Sequence, residues 1–111
     1  MGVTKSNLFS KEQNQLAALA KALAHPARIA ILQHLLKTNA CINGDLVQEL
    51  GLAQATISQH LKELKSIGLI QGNIEGVSMC YCIDEDNWMK TKEMFANLFN
   101  QYVTSGKQNC C

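Results

Sequence analysis

A chain of 111 residues is the size of one domain, so we expect residues 1–111 to share one hydrophobic core. Hydrophobic residues make up 47% of the chain and aromatic residues only 5%, which favours a helical core of Leu, Ile and Ala. The formal net charge of +1 excludes a uniformly basic surface, although local asymmetry can still provide a basic face. The N-terminus is polar and no run approaches the ~18 apolar residues of a membrane span, so we expect a cytoplasmic protein without a membrane partner.

Two amphipathic helices are predicted at the start of the chain. The first covers about residues 6–23, and Ser6 or Ser10 can cap its amino terminus. The dipeptide His25-Pro26 ends it, and Pro26 suits the first turn of the next helix because no amide donor is needed there. The second helix extends to about residue 37, and its predicted inward residues are Ile29, Leu32, Leu35 and Leu36.

Residues 44–70 are the most informative stretch, because their pattern is typical of two short helices joined by a tight turn. The first of these helices ends at Gly51, and its apolar stripe consists of Leu46, Val47 and Leu50. The second covers about residues 54–67, and its core-facing residues are Ile57, Leu61, Leu64 and Ile67.

The opposite face of this second helix is polar and suits a DNA groove. Hydroxyl and amide side chains near the helix start can reach base edges, and lysines further along can reach phosphates. The predicted DNA-binding residues are Gln54, Thr56, Ser58, Gln59, His60, Lys62 and Lys65. The alternative is an ordinary helical hairpin with a solvated face. The single arginine, Arg28, suits either a DNA phosphate or a hydrogen bond to a helix end.

After Ile70 the hydrophobic pattern changes from the helical period to alternation. Residues 71–73 and 76–83 flank a turn that contains Glu75 and Gly76. The second segment has one apolar face, because Met79, Tyr81 and Ile83 alternate with Ser78, Cys80 and Cys82. A helix-turn-helix followed by a β-hairpin is a winged helix. The predicted fold is therefore mainly α, with about five helices and a small β-hairpin wing.

The last predicted helix covers about residues 87–103, and Asp84 or Asp86 can cap it. It carries more apolar side chains than one covered side can bury, namely Trp88, Met89, Met94, Phe95, Leu98, Phe99 and Tyr102. We therefore expect the surplus apolar face to pack, together with the first helix, against a second chain in a homodimer.

Three segments together resemble the ArsR/SmtB family of small metal- and stress-responsive bacterial repressors. They are LAKALAHPARIAILQHL (19–35), SQHLKELKSIGLI (58–70) and the wing GNIEGVSMCYCI (72–83). The resemblance implies a winged-helix homodimer that binds double-stranded operator DNA. It also implies that the terminal helices, at about 6–23 and 87–103, form the dimer interface.

Five cysteines carry further information: Cys41, Cys80, Cys82, Cys110 and Cys111. In a cytoplasmic protein they are not expected to form permanent disulfides, and soft thiolates bind trivalent arsenic or antimony, cadmium and monovalent copper. The resemblance places an inducer site at the start of the helix-turn-helix, where this chain has Cys41 but Asn43 instead of a second cysteine. The predicted metalloid ligands are therefore Cys41, Cys110 and Cys111, and the second choice is the wing pair Cys80 and Cys82.

A second type of site, also implied by the resemblance, binds zinc or nickel through His and carboxylates on the last helix. We reject it here because residues 87–103 contain no His and a single acid, Glu93.

The prediction is a sequence-specific repressor that needs no obligatory cofactor and leaves its operator when arsenite or antimonite binds. The alternative is a thiol-based redox or persulfide-sensing repressor of the same fold, in which Cys41 forms a bridge to a tail cysteine. An enzyme is disfavoured, because the sequence has no CxxC motif and no cofactor-binding loop. A winged helix that binds only proteins remains a third hypothesis.

Overall fold

A computed structural model describes residues 7–38, 46–74 and 79–102. Within these ranges the chain forms five helices and one two-stranded antiparallel sheet. Their order is α1 (Lys11–Ala22), α2 (Pro26–Thr38), α3 (Leu46–Leu50), α4 (Gln54–Ser66), β1 (Ile70–Asn73), β2 (Cys80–Ile83) and α5 (Glu85–Phe99). The predicted fold class, a winged helix-turn-helix with a small hairpin, is confirmed. No helix in the described part of the chain is long and apolar enough to cross a membrane.

The first two helices begin at the expected signals. Ser10 caps α1, because its hydroxyl accepts a hydrogen bond of 3.0 Å from the backbone N–H of Gln13. The Gln13 side chain accepts a 2.9 Å hydrogen bond from the Ser10 backbone N–H in return, which completes a capping box. Ser6, the other candidate cap, lies outside the described residues. Pro26 is the first residue of α2, as predicted.

The core lies where α2, α3, α4 and the hairpin meet. Its buried residues include Leu19, Ile31, Leu32, Leu35, Leu46, Ile57, Leu61, Leu64, Leu69, Ile70, Ile74 and Tyr81. The prediction for α2 was wrong at two positions, since Ile29 is 39% exposed and Leu36 is 47% exposed. The side of α2 that contacts α3, α4 and β2 is centred on Ile31 and Leu35, more than about a third of a turn away from Ile29 and Leu36.

The hairpin has the predicted alternation. Ile70 pairs with Ile83 and Gly72 pairs with Tyr81 in the antiparallel register. Tyr81 is fully buried, whereas its neighbour Cys80 faces solvent, so only one face of the hairpin packs on the core. The expected turn at Glu75 and Gly76, with residues 77 and 78, lies outside the described residues.

Helix α5 is shorter than predicted and is covered on only part of its surface. Asp84 caps it by accepting a 3.2 Å hydrogen bond from the backbone N–H of Asn87, and the helix ends at Phe99 rather than near residue 103. It packs against α1, yet none of its residues is buried. Its exposed apolar side chains, with Tyr102 just beyond its end, are Met89, Leu98, Phe99 and Tyr102. The predicted surplus of apolar surface is therefore present in the isolated chain.

Gly72 in β1 provides a test of how tightly the wing is built. Its φ is +111°, and an added Cβ would overlap the backbone oxygen of Cys80 and lie 2.9 Å from Cα of Tyr81. We predict that Gly72→Ala lowers the free energy of unfolding by at least about 2 kcal/mol, measured by urea denaturation.

Gly51→Ala is the matched control for this substitution. Gly51 also has a positive φ, +71°, but an added Cβ there has no neighbour within 4 Å. The control is therefore expected to cost only about 1 kcal/mol. Equal losses in the two variants would contradict the close approach of the two wing strands at Gly72.

Candidate nucleic-acid interface

Helix α4 presents a polar face because its apolar face is fully used by the core. Ile57, Leu61 and Leu64 are each at most 1% exposed, and their i, i+4, i+7 spacing places them on one side of the helix. The middle of the opposite side holds Gln59 and Lys62, both exposed. The helix therefore cannot rotate to bury this polar face without exposing its apolar one.

The seven predicted DNA-binding residues divide into two groups by exposure. Ser58 and His60 are partly buried on the flanks of the helix. The exposed members are Gln54, Thr56, Gln59, Lys62 and Lys65. We call the set Gln54, Thr56, Ser58, Gln59 and Lys62 the recognition face.

Two hydrogen bonds run along the exposed surface of α4. The Gln54 side-chain amide donates to the Ser58 hydroxyl at 3.2 Å, and the Gln59 amide donates to the Glu63 carboxylate at 3.4 Å. Both link residues four apart and both are solvent-exposed, so they contribute little net stability. These amides can therefore exchange their present partners for groups on a ligand at small cost.

Lys65 has a role that the sequence did not predict. Its ammonium donates a 2.6 Å hydrogen bond to the backbone oxygen of Gly72, seven residues further on, and thereby joins α4 to the first strand of the wing. The sequence gives no signal for this contact, because it depends on how closely β1 returns past the end of α4. Lys65 thus helps to fix the position of the wing relative to the recognition face, in addition to supplying a positive charge.

His60 is partly buried, and its Nδ1 faces the start of α2. Its Nδ1 accepts a 3.1 Å hydrogen bond from Nε of Arg28, and its ring lies 5.5 Å from the ring of His25, centroid to centroid. Arg28 also donates from Nη1 to the backbone oxygen of Ala22 at the end of α1, at 3.1 Å. Of the two roles considered for Arg28, the structure therefore contains the hydrogen bond to a helix end.

The surroundings of His60 disfavour its charged form. Burial, and after it the positive charges of Arg28 and His25, hold the pKa of His60 below its usual range. A cavity of about 440 Å³ adjoins this cluster, and its titratable lining residues are Lys21, His25, Arg28 and Glu63. The neutral form of the His60 ring is therefore favoured over the charged form.

The far end of α4 is tied to the last helix. The backbone N–H of Asp84 donates to the backbone oxygen of Leu69 at 3.0 Å, immediately before α5 begins. The N–H of Leu69 donates to the backbone oxygen of Leu64 in α4, also at 3.0 Å. These two backbone hydrogen bonds therefore connect the start of α5 to the end of α4.

The predicted metalloid site cannot be placed, because Cys41, Cys110 and Cys111 lie outside the described residues. Cys82 is a partly buried free thiol opposite Gln71. Cys80 is disulfide-bonded, contrary to the expectation that the cysteines form no permanent disulfides. Within the described ranges, no group of three or more His, Cys, Asp or Glu residues could hold a metal ion.

Comparison with known proteins places these features among bacterial regulators. The family model described as bacterial regulatory protein, arsR family, matches residues 25–71. The transcriptional repressor SmtB of Mycobacterium tuberculosis is 41% identical over 63 residues, which cover 57% of this chain and 46% of that protein. The transcriptional regulator YgaV of Escherichia coli is 33% identical over 88 residues, which cover 79% of this chain and 86% of that protein.

A solved structure shows the same likeness over most of the chain. The NMR structure of the cadmium metal-sensor CMTR from Mycobacterium tuberculosis matches with a TM-score of 0.53 at 30% identity. The match covers 86% of this chain and 96% of that one. The chain spans about half the length of the SmtB relative. All three similar proteins are named as regulators or sensors and not as enzymes.

Proposed function

The chain belongs to the arsR family of bacterial regulatory proteins, and on that premise we propose that it is a homodimeric, sequence-specific repressor of transcription. In this proposal α4 enters the major groove of a double-stranded operator, and the wing lies beside it. The amide and hydroxyl side chains of the recognition face contact the bases, and Lys62 and Lys65 contact the phosphates. A thiophilic inducer releases the protein from DNA.

One observation carries the DNA-binding proposal. Ile57, Leu61 and Leu64 on the core side of α4 are buried, and the exposed side carries amides, hydroxyls and lysine with one carboxylate, that of Glu63. Amides can bond to adenine edges in pairs, and hydroxyls bond to several bases. Glu63 is the single acid on this helix, and it is paired with Gln59.

The homodimer is supported by the incomplete burial of the terminal elements. Phe99 is 69% exposed, Tyr102 62% and Met89 53%, all in or just after a helix with no buried residue. On the opposite terminus, Leu8 is 76% exposed and Phe9 55%. Large exposed apolar side chains of this kind are typical of an interface between subunits. Two copies related by a twofold axis would present two α4 helices to grooves about 34 Å apart.

The proposed inducer is trivalent arsenic or antimony, bound by Cys41, Cys110 and Cys111. The support is chemical: five cysteines in a short chain provide soft thiolate ligands, and one relative is named as a sensor of cadmium, another thiophilic ion. For release, the inducer must bind more tightly to an arrangement of the dimer whose two α4 helices no longer fit adjacent grooves.

A second candidate keeps the fold and changes the signal to thiol oxidation or persulfide. The specific observation in its favour is the disulfide at Cys80. A bridge that forms between two thiols needs an oxidant and no metalloid. Arsenite that displaces DNA from fully reduced protein supports the metalloid sensor. An oxidant or persulfide donor that displaces DNA without metalloid supports the redox sensor instead.

The first prediction separates base reading from phosphate binding. Gln59→Ala is expected to cost about 1–3 kcal/mol at the operator and little on random DNA, because a base contact is lost. Lys62→Ala is expected to weaken binding to both DNAs and to reduce the salt slope by about one. Fluorescence anisotropy at several salt concentrations measures both quantities. If Gln59→Ala weakened operator and random DNA equally, Gln59 would be a positioning contact only.

The second prediction concerns the dimer and uses two leucines of equal exposure. Leu98 in α5 is 46% exposed and Leu36 in α2 is 47% exposed. Leu98→Lys is expected to shift the protein toward monomer in sedimentation velocity and to weaken operator binding, because a charge would enter the interface. Leu36→Lys is expected to leave the dimer intact. A fully dimeric Leu98→Lys protein would contradict an interface built on α5.

The third prediction concerns the inducer ligands. Cys41→Ser, Cys110→Ser and Cys111→Ser are each expected to leave operator binding intact and to abolish release by arsenite, because a three-thiolate site would lose a ligand. Cys82→Ser is the control and is expected to respond like the unmodified protein. The assay is operator anisotropy titrated with arsenite under reducing conditions. An unchanged arsenite response after deletion of the last two residues would eliminate the tail cysteines as ligands.

A further inference from the structure

Arg28 joins the end of α1 to the middle of α4 through one planar side chain. We propose that Arg28 is a positioning residue that holds His60 in the tautomer with its proton on Nε2, so that α4 presents a neutral hydrogen-bond donor to a DNA phosphate. The inference rests on the proposed DNA-binding function. It adds Arg28, which acts on DNA only through His60.

The tautomer follows from which atom can donate. A guanidinium carries only donors and stays protonated in proteins, so the 3.1 Å contact between Arg28 Nε and His60 Nδ1 requires a lone pair on Nδ1. A neutral imidazole with a lone pair on Nδ1 carries its proton on Nε2. The second ring nitrogen of His60 is therefore a donor. Every phosphate oxygen is an acceptor, so a donor at this site matches the backbone of DNA.

The neutral state of the ring follows from the groups that surround it. Arg28 and His25 approach from α2, while Lys21 of α1 and Glu63 of α4 line the adjoining cavity. Partial burial and the neighbouring positive charges disfavour imidazolium, as the lowered pKa of His60 reflects. A proton on Nδ1 would also abolish the acceptor that Arg28 uses. A neutral donor adds affinity for DNA without releasing a counterion.

The ring is fixed because Arg28 is itself fixed at a second point. Its Nη1 donates to the Ala22 backbone oxygen, so both hydrogen bonds come from one rigid fork. The His25 ring, tilted by 51° against that of His60, closes another side. A flipped His60 ring would lose the hydrogen bond and leave the Arg28 Nε–H without it. The placement of the donor thus depends on the end of α1.

The first test reads the tautomer directly and needs no DNA. Long-range ¹H–¹⁵N spectra of the histidine ring nitrogens at pH 7.5 are expected to show His60 as the Nε2–H form. Arg28→Gln is expected to give a mixture of tautomers. Lys21→Gln removes a charge from the same cavity without touching His60 and is expected to leave the spectrum unchanged. A charged or Nδ1–H ring in the unmodified protein would overturn the proposal.

The second test measures whether Arg28 acts on DNA through His60. His60→Asn keeps an acceptor for Arg28 in place of Nδ1 and removes the outer N–H. It is expected to bind operator about tenfold more weakly, the loss of one hydrogen bond, with an unchanged salt slope. Arg28→Gln is expected to weaken operator binding by a similar factor. The double variant is expected to bind no more weakly than His60→Asn alone. Unfolding of each variant is measured in urea in parallel.

The outcomes separate this inference from the proposed function. Losses that multiply in the double variant, or unchanged operator affinity in His60→Asn, would overturn the positioning role while DNA binding stands. An unmodified protein that binds no operator DNA would overturn the proposed function and the phosphate contact with it.

The pH dependence provides an additional readout. The folded-state pKa of His60 lies below its unfolded value of about 6.5, so its contribution to stability is complete above that pH and is lost as the pH falls through the folded-state pKa. His60→Asn is expected to remove this part of the fall in the free energy of unfolding at low pH. An identical pH profile in the unmodified protein and the variant would contradict the linkage.

Discussion

The complete burial of Ile57, Leu61 and Leu64 determines how α4 lies in the molecule. Each such side chain gains about 1.5–3 kcal/mol on leaving water, so a rotation of α4 that exposed them would cost most of the stability of a small domain. Because these buried side chains fix the orientation of α4, the opposite side of the helix faces outward without needing contacts to hold it there. The recognition face can therefore consist of polar side chains, and the exposed hydrogen bonds of Gln54 and Gln59 can be exchanged for bonds to a ligand.

Three contacts connect this locked helix to its neighbours. Arg28 links His60 to the end of α1, Lys65 links α4 to the wing, and the bond between Asp84 and Leu69 links it to α5. The helices at both ends of the chain also adjoin uncovered apolar side chains, namely Leu8 and Phe9 just before α1 and Met89, Leu98 and Phe99 in α5. In the proposed dimer, a change in how those helices pack is thus transmitted to both α4 helices. That is the mechanical requirement for an inducer that acts away from DNA.

Much of this could be predicted from the sequence because it depends on local periodicity and capping. Ser10, Pro26 and Asp84 mark helix starts by chemistry that is complete within a few residues. The polar face of α4 follows from the same 3.6-residue period. The prediction for α2 was wrong at Ile29 and Leu36 because that helix is apolar on several sides, and only its neighbours decide which side is buried.

The contacts that sequence reasoning missed are all nonlocal. The pairing of Arg28 with His60 spans 32 residues and has no periodic signature. The bond from Lys65 to Gly72 depends on the path of the chain after α4, because the acceptor is a backbone oxygen that any residue carries. The disulfide at Cys80 likewise has no local spacing motif. The predicted metalloid ligands involve residues outside the described ranges, so their assignment stays a prediction.

The central claim is that two copies of α4, held at a fixed separation by dimerisation, read one operator. Hydroxyl-radical footprinting of the protein on DNA from upstream of its own gene tests this most directly. The account predicts two protected patches on one face of the duplex, about 10 base pairs apart, that disappear together when the inducer is added. A single protected patch, or protection that moves uniformly along any DNA, would contradict it.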